Sequence, residues 1–386
     1  MFKGLGTTIK REVKRWGTRR VYLWAMVLIP LAVAFFLLNL MNEGLPTKVP
    51  TAIVDNDNTP MSRTLTQSLG STELIDLTYH AASYHDAMSK IRSGEIYGFF
   101  LIPENFEADA LAGRTPTLTY YSNMTYFVPG TLTFKGFKTM AVLTSGEVVE
   151  TALTDLGVSE RTAGTLLQPV VIDVHPMGNP WTNYNIYLSN SFIAGVIELM
   201  VFLVTCFSIC EELKRRTSIQ WLAGAQGSLT KALIGKLLPQ TIVFTIIGYG
   251  LDAILYRYLH FPCAHTGMML LAMPIYVIAC QSFAVIICSL LPNLRLSLSI
   301  CSLTGILAFS IAGFSFPVEQ MYGAIGIFSY ILPVRWYFLI YIDQALNGVD
   351  PFYSRYYYVA LLCFLPVAVA LAWRLKKRCL NPVYVP

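Results

Sequence analysis

Between Val21 and Met41 the sequence runs for 21 residues without a charged side chain. In a helix rising about 1.5 Å per residue, such a segment crosses the roughly 30 Å hydrocarbon core of a bilayer. Inside lipid a helix also satisfies its own backbone hydrogen bonds, which restricts what the segment can become. The run exceeds the apolar stretch of a signal peptide and is followed by no small-x-small cleavage site, so a retained anchor is expected. Pro30 within it is a candidate kink. Five further runs qualify: Ser191–Cys210, Pro239–Tyr258, Met268–Leu291, Leu296–Phe316 and Tyr357–Trp373. Tyr322–Leu332 is apolar but too short to span and reads as a re-entrant or interfacial piece. Only 13% of the 386 residues are charged, about half the share of a soluble domain, as a lipid-solvated chain requires.

Lysine and arginine placement sets the expected orientation. With the N-terminus cytoplasmic, the inner segments hold Lys3, Lys10, Arg11, Lys14, Arg15, Arg19 and Arg20, then Lys214, Arg215, Arg216, Lys231 and Lys236, then Arg295, and finally Arg374, Lys376, Lys377 and Arg378. The short outer loops hold only Arg257, Arg335 and Arg355. Both termini are therefore expected on the cytoplasmic side of the membrane. In the head, residues 1–20, Phe2, Leu5, Ile9, Val13 and Trp16 share one helical face opposite the basic residues. This pattern predicts an interfacial helix on the anionic inner leaflet. Tyrosines and tryptophans near the span ends (Tyr22, Trp24, Tyr256, Tyr258, Tyr358 and Trp373 among them) fit an aromatic belt.

Residues 42–188, between the first span (21–41) and the second, contain no spanning run. Pro50–Asp55, Tyr97–Ile102, Leu118–Tyr121 and Val170–Val174 read as strands, and Ser62–Leu69, His85–Ser93, Glu104–Leu111 and about Gly130–Leu156 as helices. An extracytoplasmic α/β or α+β domain is expected, folding without disulfides because it has no cysteine. Asp55, Asp57 and Glu104 resemble part of a calcium loop, but the glycine and distal glutamate of an EF-hand are missing. A turn leading into a helix at Asn58-Thr59-Pro60 explains these acids more simply.

Motifs for chemistry are sparse. The eight cysteines form no CxxC pair, so neither a zinc site nor a disulfide framework is supported, and no metal is expected. Gly4-Leu5-Gly6 lacks the spacing of a phosphate loop, and HExxH and GxSxG are missing. No catalytic residue is assigned. Two acids fall within spans, Glu198 midway along the second and Asp252 in the outer half of the third. Such groups normally face protein or water. Each either lines a substrate path or is a protonated acid bonded to a neighbouring helix.

Four local sequences complete the reading. The external segment carries Val54-Asp55-Asn56-Asp57-Asn58-Thr59-Pro60-Met61-Ser62-Arg63, then Gly94-Glu95-Ile96-Tyr97-Gly98, Ile102-Pro103-Glu104-Asn105-Phe106 and Tyr121-Ser122-Asn123. Glu211-Glu212-Leu213-Lys214-Arg215-Arg216-Thr217-Ser218-Ile219-Gln220-Trp221-Leu222 follows span two, and Gly235-Lys236-Leu237-Leu238-Pro239 opens span three. After span five come Phe314-Ser315-Phe316-Pro317-Val318-Glu319-Gln320-Met321, Leu332-Pro333-Val334-Arg335-Trp336-Tyr337 and Ala345-Leu346-Asn347-Gly348. Their order resembles the permease subunits of ABC-2 type exporters, in the bacterial subgroup with a large extracytoplasmic domain after the first helix.

The resemblance implies a polytopic helical membrane protein with six spans, a membrane domain over 189–379, a cytoplasmic coupling loop at 211–238 and an external re-entrant hairpin at 317–338 marked by Pro317, Glu319 and Pro333. Glu211, Glu212, Thr217, Gln220, Trp221 and Leu222 would couple to the ATPase. Glu212, Thr217 and Gln220 match the family by position, while Arg216 stands where glycine is usual and Lys214 where a second acid is usual. ATP and Mg would be held by separate cytosolic ATPase subunits and not by this chain. The implied partners are a second permease copy or paralogue, membrane lipids and, outside, a membrane-fusion protein leading to an outer-membrane channel, with no nucleic acid. The cargo would be a hydrophobic or amphipathic small molecule, a lipid or a glycan. A proton-coupled secondary exporter with Glu198 as the carrier is the rival reading.

Overall fold

The computed structural model describes residues 3–42, 44–155, 157–159, 161–163, 175, 177–180 and 182–382. The chain divides into two compact units, one of residues 1–44 and 176–386 and the other of residues 45–175. The first unit opens with helix α1, Lys3–Thr18, and α2, Arg20–Leu40, which is long and apolar enough to cross a membrane. A π-helical turn at Trp24–Leu28 immediately precedes Pro30. Proline has no N–H to close the regular turn onto Met26, and the widened turn lies where that bond is missing.

The second unit is a four-stranded sheet with helices on both faces. Along the chain run β1 (Val49–Asp55), α3 (Pro60–Gly70), β2 (Ile75–His80), α4 (Tyr84–Ser93), β3 (Gly98–Ile102), α5 (Phe106–Leu111), β4 (Thr119–Ser122) and α6 (Phe127–Asp155). The strand order is β2-β1-β3-β4. β1 pairs in parallel with β2 and β3, and β4 is antiparallel to β3. Parallel neighbours need helical crossovers, which α3 and α4 provide. Ile53, Phe100 and Ile102 face one core with Leu65, Leu69 and Phe106. Ala52, Val54 and Phe99 face a second core with Ala87 and Ile96. Gly136 lets α6 approach the sheet, since a Cβ there would stand 2.7 Å from Ile75 Cδ1. The expected strand at Val170–Val174 lies outside the described residues. The sheet gains β2 instead, whose Ile75, Leu77 and Tyr79 alternate with more polar residues as an edge strand does.

The two aspartates after β1 are spent on local structure. Asp55 Oδ1 accepts the N–H groups of Asp57 and Asn58, and Oδ2 accepts the Ser62 hydroxyl. Asp57 accepts the Thr59 hydroxyl at 2.5 Å and the Phe106 and Glu107 N–H groups at 2.9 and 3.1 Å. It thereby caps α5 from a loop some fifty residues earlier. Desolvation pushes the Asp57 carboxyl up, but the Thr59 hydroxyl and these backbone donors outweigh it and hold its pKa below the ordinary value. The depressed pKa means that the charged form is the stabilising one. Its contribution is complete above the unfolded value of about 4 and is lost as pH falls through the folded one. Asp57→Ala should cost about 1 kcal/mol. Hydrogen exchange at the Phe106 and Glu107 amides should accelerate in this variant, and in the wild type as pH falls below about 4 once the intrinsic pH effect on exchange is removed. Unchanged protection in the variant would contradict the cap.

The first unit resumes with α7 (Asn185–Lys214), α8 (Ser218–Gly224), α9 (Leu229–Tyr258), α10 (Thr266–Leu290) and α11 (Leu294–Ile311). Then come α12 (Gly323–Ser329), α13 (Pro333–Leu346) and α14 (Pro351–Leu380). Among the described residues six helices are long and apolar enough to span: α2, α7, α9, α10, α11 and α14. α7, α9 and α14 extend past their apolar runs, most clearly α7, which continues through Glu211 and Glu212, whereas α11 stops at Ile311, five residues short of the expected Phe316. α12 and α13 are bent by 79° at a short break, the geometry of a broken span or of a re-entrant loop. Tyr22 and Tyr358 are buried between helices and so leave the expected aromatic belt. Trp24, Tyr258 and Trp373 stay exposed.

Candidate coupling site and its ion network

α7 ends in a sharp turn at Arg215–Thr217. The Thr217 N–H bonds to the Glu212 carbonyl and the Arg216 N–H to that of Leu213, the paired bonds of a Schellman ending. Arg216 sits at φ +56°, the left-handed conformation that glycine adopts without strain. The family's usual glycine at this position thus has a geometric reason, and here arginine bears a strain of about 1 kcal/mol.

α8 follows and is turned inward by its apolar side. Trp221 is fully buried, with its Nε1–H donating to the Ala232 carbonyl at 3.2 Å, and Leu222 is buried beside it. Ser218 Oγ donates to the Cys379 carbonyl at 2.8 Å, tying α8 to the end of α14. Trp221 and Leu222, both expected among the coupling residues, are therefore spent on the chain's own core and do not face outward. The outward residues of α8 are Ile219, Gln220, Ala223 and Gly224, with Lys214, Arg215 and Arg216 beside them.

Glu211 and Glu212 are also buried, and neither projects toward a partner. Arg11 Nη2 lies 2.8 Å from Glu212, and Arg15 Nη2 lies 2.9 Å from Glu211 and also pairs with Glu212. Arg19 and Arg215 pair with Glu211, and the Thr217 hydroxyl donates to Glu212. Lys236 reaches in from α9. Its Nζ is 2.9 Å from Glu12 and 3.0 Å from Glu212, and 4.9 Å from the centre of the Trp221 ring.

Sequence reasoning missed Glu12 as the second acid for Lys236. It is a lone acid in a basic head, on the face holding Gly4 and Thr8, and that spacing of four was its only signal. This face seats α1 against α9, where a Cβ on Gly235 would stand 2.7 Å from Thr8 Cβ. The Thr7 hydroxyl donates to the Gly224 carbonyl at 2.7 Å, adding α8 to the joint. The Leu5, Ile9, Val13 and Trp16 side remains half-exposed or exposed, and Phe2 lies outside the described residues.

The other candidate residues fall elsewhere in this unit. Glu198 is fully buried, and its Oε2 accepts the Val334 N–H at 2.7 Å and faces Cys280 Sγ at 3.8 Å. Val334 is in the first turn of α13, just after Pro333, so the carboxyl of one span caps the second leg of the hairpin. Asp252 is buried too, among the described residues its Oδ2 has no hydrogen-bond partner, and Tyr256 and Tyr337 lie within its electrostatic range. The rings of Tyr276 and Tyr337 stack at 4.5 Å, Tyr276 within electrostatic range of Glu198 and Tyr337 of Asp252. Pro317 leads into a short 3₁₀ turn at Val318–Gln320. Exposed Glu319 pairs at 3.6 Å with buried Arg335, whose guanidinium also covers the Tyr330 ring at 4.7 Å.

A family model described as ABC-2 family transporter protein matches residues 20–374, nearly the whole chain. The chain belongs to that family. It is accordingly a membrane permease component of an ABC-2 transporter, and membership of the family implies association with an ABC ATPase. No curated protein matches the sequence. Lys236 and Glu212, 3.0 Å apart, join α9 to the end of α7 beside α8.

Proposed function

We propose that this chain is the membrane-spanning subunit of an ATP-driven exporter and that α8 is its point of contact with a separate cytosolic ATPase. The observation that carries this reading is the mounting of α8. One side is locked to α1, α9 and α14 by Trp221, Ser218 and Thr7, while Ile219, Gln220 and Ala223 are left outward. A push on a helix so held moves spans two, three and six together as a rigid body. In this reading ATP and Mg belong to the ATPase subunits and both termini are in the cytoplasm of the inner membrane. Residues 45–175 project outside, where a membrane-fusion protein and an outer-membrane channel would take over. A second permease copy or paralogue completes the path for a hydrophobic or amphipathic cargo. The roles of Thr217 and Gln220 follow from position, since Thr217 closes the turn on Glu212 and Gln220 lies on the outward face. Nothing in family membership supports the proton-coupled alternative, and Glu198 serves better as a cap.

Ile219→Asp combined with Ala223→Arg changes only exposed side chains. In proteoliposomes holding the permease and its ATPase, this variant should keep its fold and lower ATP-dependent export at least ~10-fold, the loss of about 1.4 kcal/mol expected from a central interface contact. Wild-type export would remove α8 as the coupling element.

A further inference from the structure

Four of the eight cysteines gather where three spans meet. Cys206 and Cys210 stand one turn apart on α7, Cys288 is in the last turn of α10, Cys301 is on α11, and all four are buried. The Sγ atoms of Cys206, Cys210 and Cys288 lie within 4.8 Å of one another. Cys210 and Cys288 are 3.6 Å apart, Ser297 Oγ is 3.7 Å from Cys210, and Cys301 flanks Cys206. Two thiolates that share one ion at about 2.3 Å stand about 3.7–4.0 Å apart. The sulfurs therefore already hold nearly the spacing of a common ligand set. The spacing along the chain gave no sign of this, because the third ligand comes 78 residues after Cys210.

We propose that Cys206, Cys210 and Cys288 bind one Cu(I) ion in a trigonal, all-sulfur site. Soft thiolate donors select Cu(I), zinc or iron–sulfur clusters. Structural zinc takes four ligands in a tetrahedron and iron–sulfur clusters take four cysteines, whereas three sulfurs here converge and Cys301 stays outside the mutual set. Each thiol that ligates releases its proton to solvent, so affinity rises with pH. Bound copper would clamp α7 to α10 one residue before Glu211 and stiffen the root of the coupling turn.

The test uses the full-length protein purified in detergent, reduced and free of oxygen. It is titrated with Cu(I), supplied as its acetonitrile complex, in competition with bicinchoninate. One equivalent should bind with near-ultraviolet copper–thiolate absorption. Even an outer-shell change costs 10–100-fold, so Cys210→Ser and Cys288→Ser should each weaken binding ~100-fold or more. Cys363→Ser, at an exposed position, should bind as the wild type does. If the serine variants fail to fold, copper-edge X-ray absorption on the wild type decides, with three sulfur neighbours expected. Equal binding by the Cys210→Ser/Cys288→Ser double variant would overturn the proposal. So would nitrogen or oxygen in the first shell, preferential retention of zinc, or copper lost entirely to bicinchoninate.

Discussion

Replacing Lys236 by methionine should destabilise the permease by about 3 kcal/mol, the penalty for leaving buried charge without its partner. Lys236 has no exposed surface, and its ammonium lies 2.9 Å from Glu12 and 3.0 Å from Glu212, bridging both acids more closely than Arg15 bridges to Glu12 at 3.5 Å. Methionine fills much of the same volume, so the loss reports on charge more than on packing. Arg11 and Arg15 still meet Glu212 in the variant. Glu12 keeps only Arg15 at 3.5 Å and the Gln240 amide at 3.5 Å. Thermal unfolding in detergent should therefore move down by on the order of 10 °C. Adding Glu12→Gln should restore part of the loss, because the uncompensated acid is then gone. A double-mutant cycle measures that coupling directly. A change of less than about 2 °C in the single variant, or strict additivity in the cycle, would mean that the ion network does not hold α1 in place.

The second large effect concerns Glu198 and separates a structural carboxyl from a working one. Glu198→Ala removes the acceptor of the Val334 N–H deep in the unit. An orphaned buried donor costs about 1–3 kcal/mol, and the cavity adds to it. The hairpin should loosen and export should fall with the folded yield. Glu198→Gln keeps a carbonyl oxygen for the same N–H and should leave stability and export close to wild type. If the glutamine variant folds normally but no longer transports, the charge or its proton takes part in transport and the cap reading fails.

How much of this was legible beforehand depended on the range of the interaction. The spans were readable because a long uncharged run has few other solutions, and the hairpin because Tyr322–Leu332 was too short to join them. Strands β1, β3 and β4 announced themselves by β-branched and aromatic runs. β2 was overlooked because Asp76 and His80 break up a run whose alternation of Ile75, Leu77 and Tyr79 was nevertheless present. The turn after span two stands out in the sequence by its charges, but the partners of those charges do not. Glu211 and Glu212 look like an exposed acidic pair until Arg11, Arg15 and Arg19, about two hundred positions earlier, are brought against them. Trp221 likewise reads as an interface anchor until Ala232 and Lys236 close over it. Local pattern carries propensity and hydropathy, whereas pairings between distant segments are set by packing that no short window contains.

The position of α1 also dictates a schedule for assembly. Lys236 is synthesised 224 positions after Glu12. At about 5–20 residues per second, that is a wait of roughly 10–45 s. For most of this interval, until Glu211 and Glu212 are made, the nascent head holds an arginine-rich stretch with no carboxylates from span two to neutralise it, and the lipid surface is its natural resting place. α1 is thus made long before it can be seated, and its docking can serve as a check that the third span has been inserted in the proper direction.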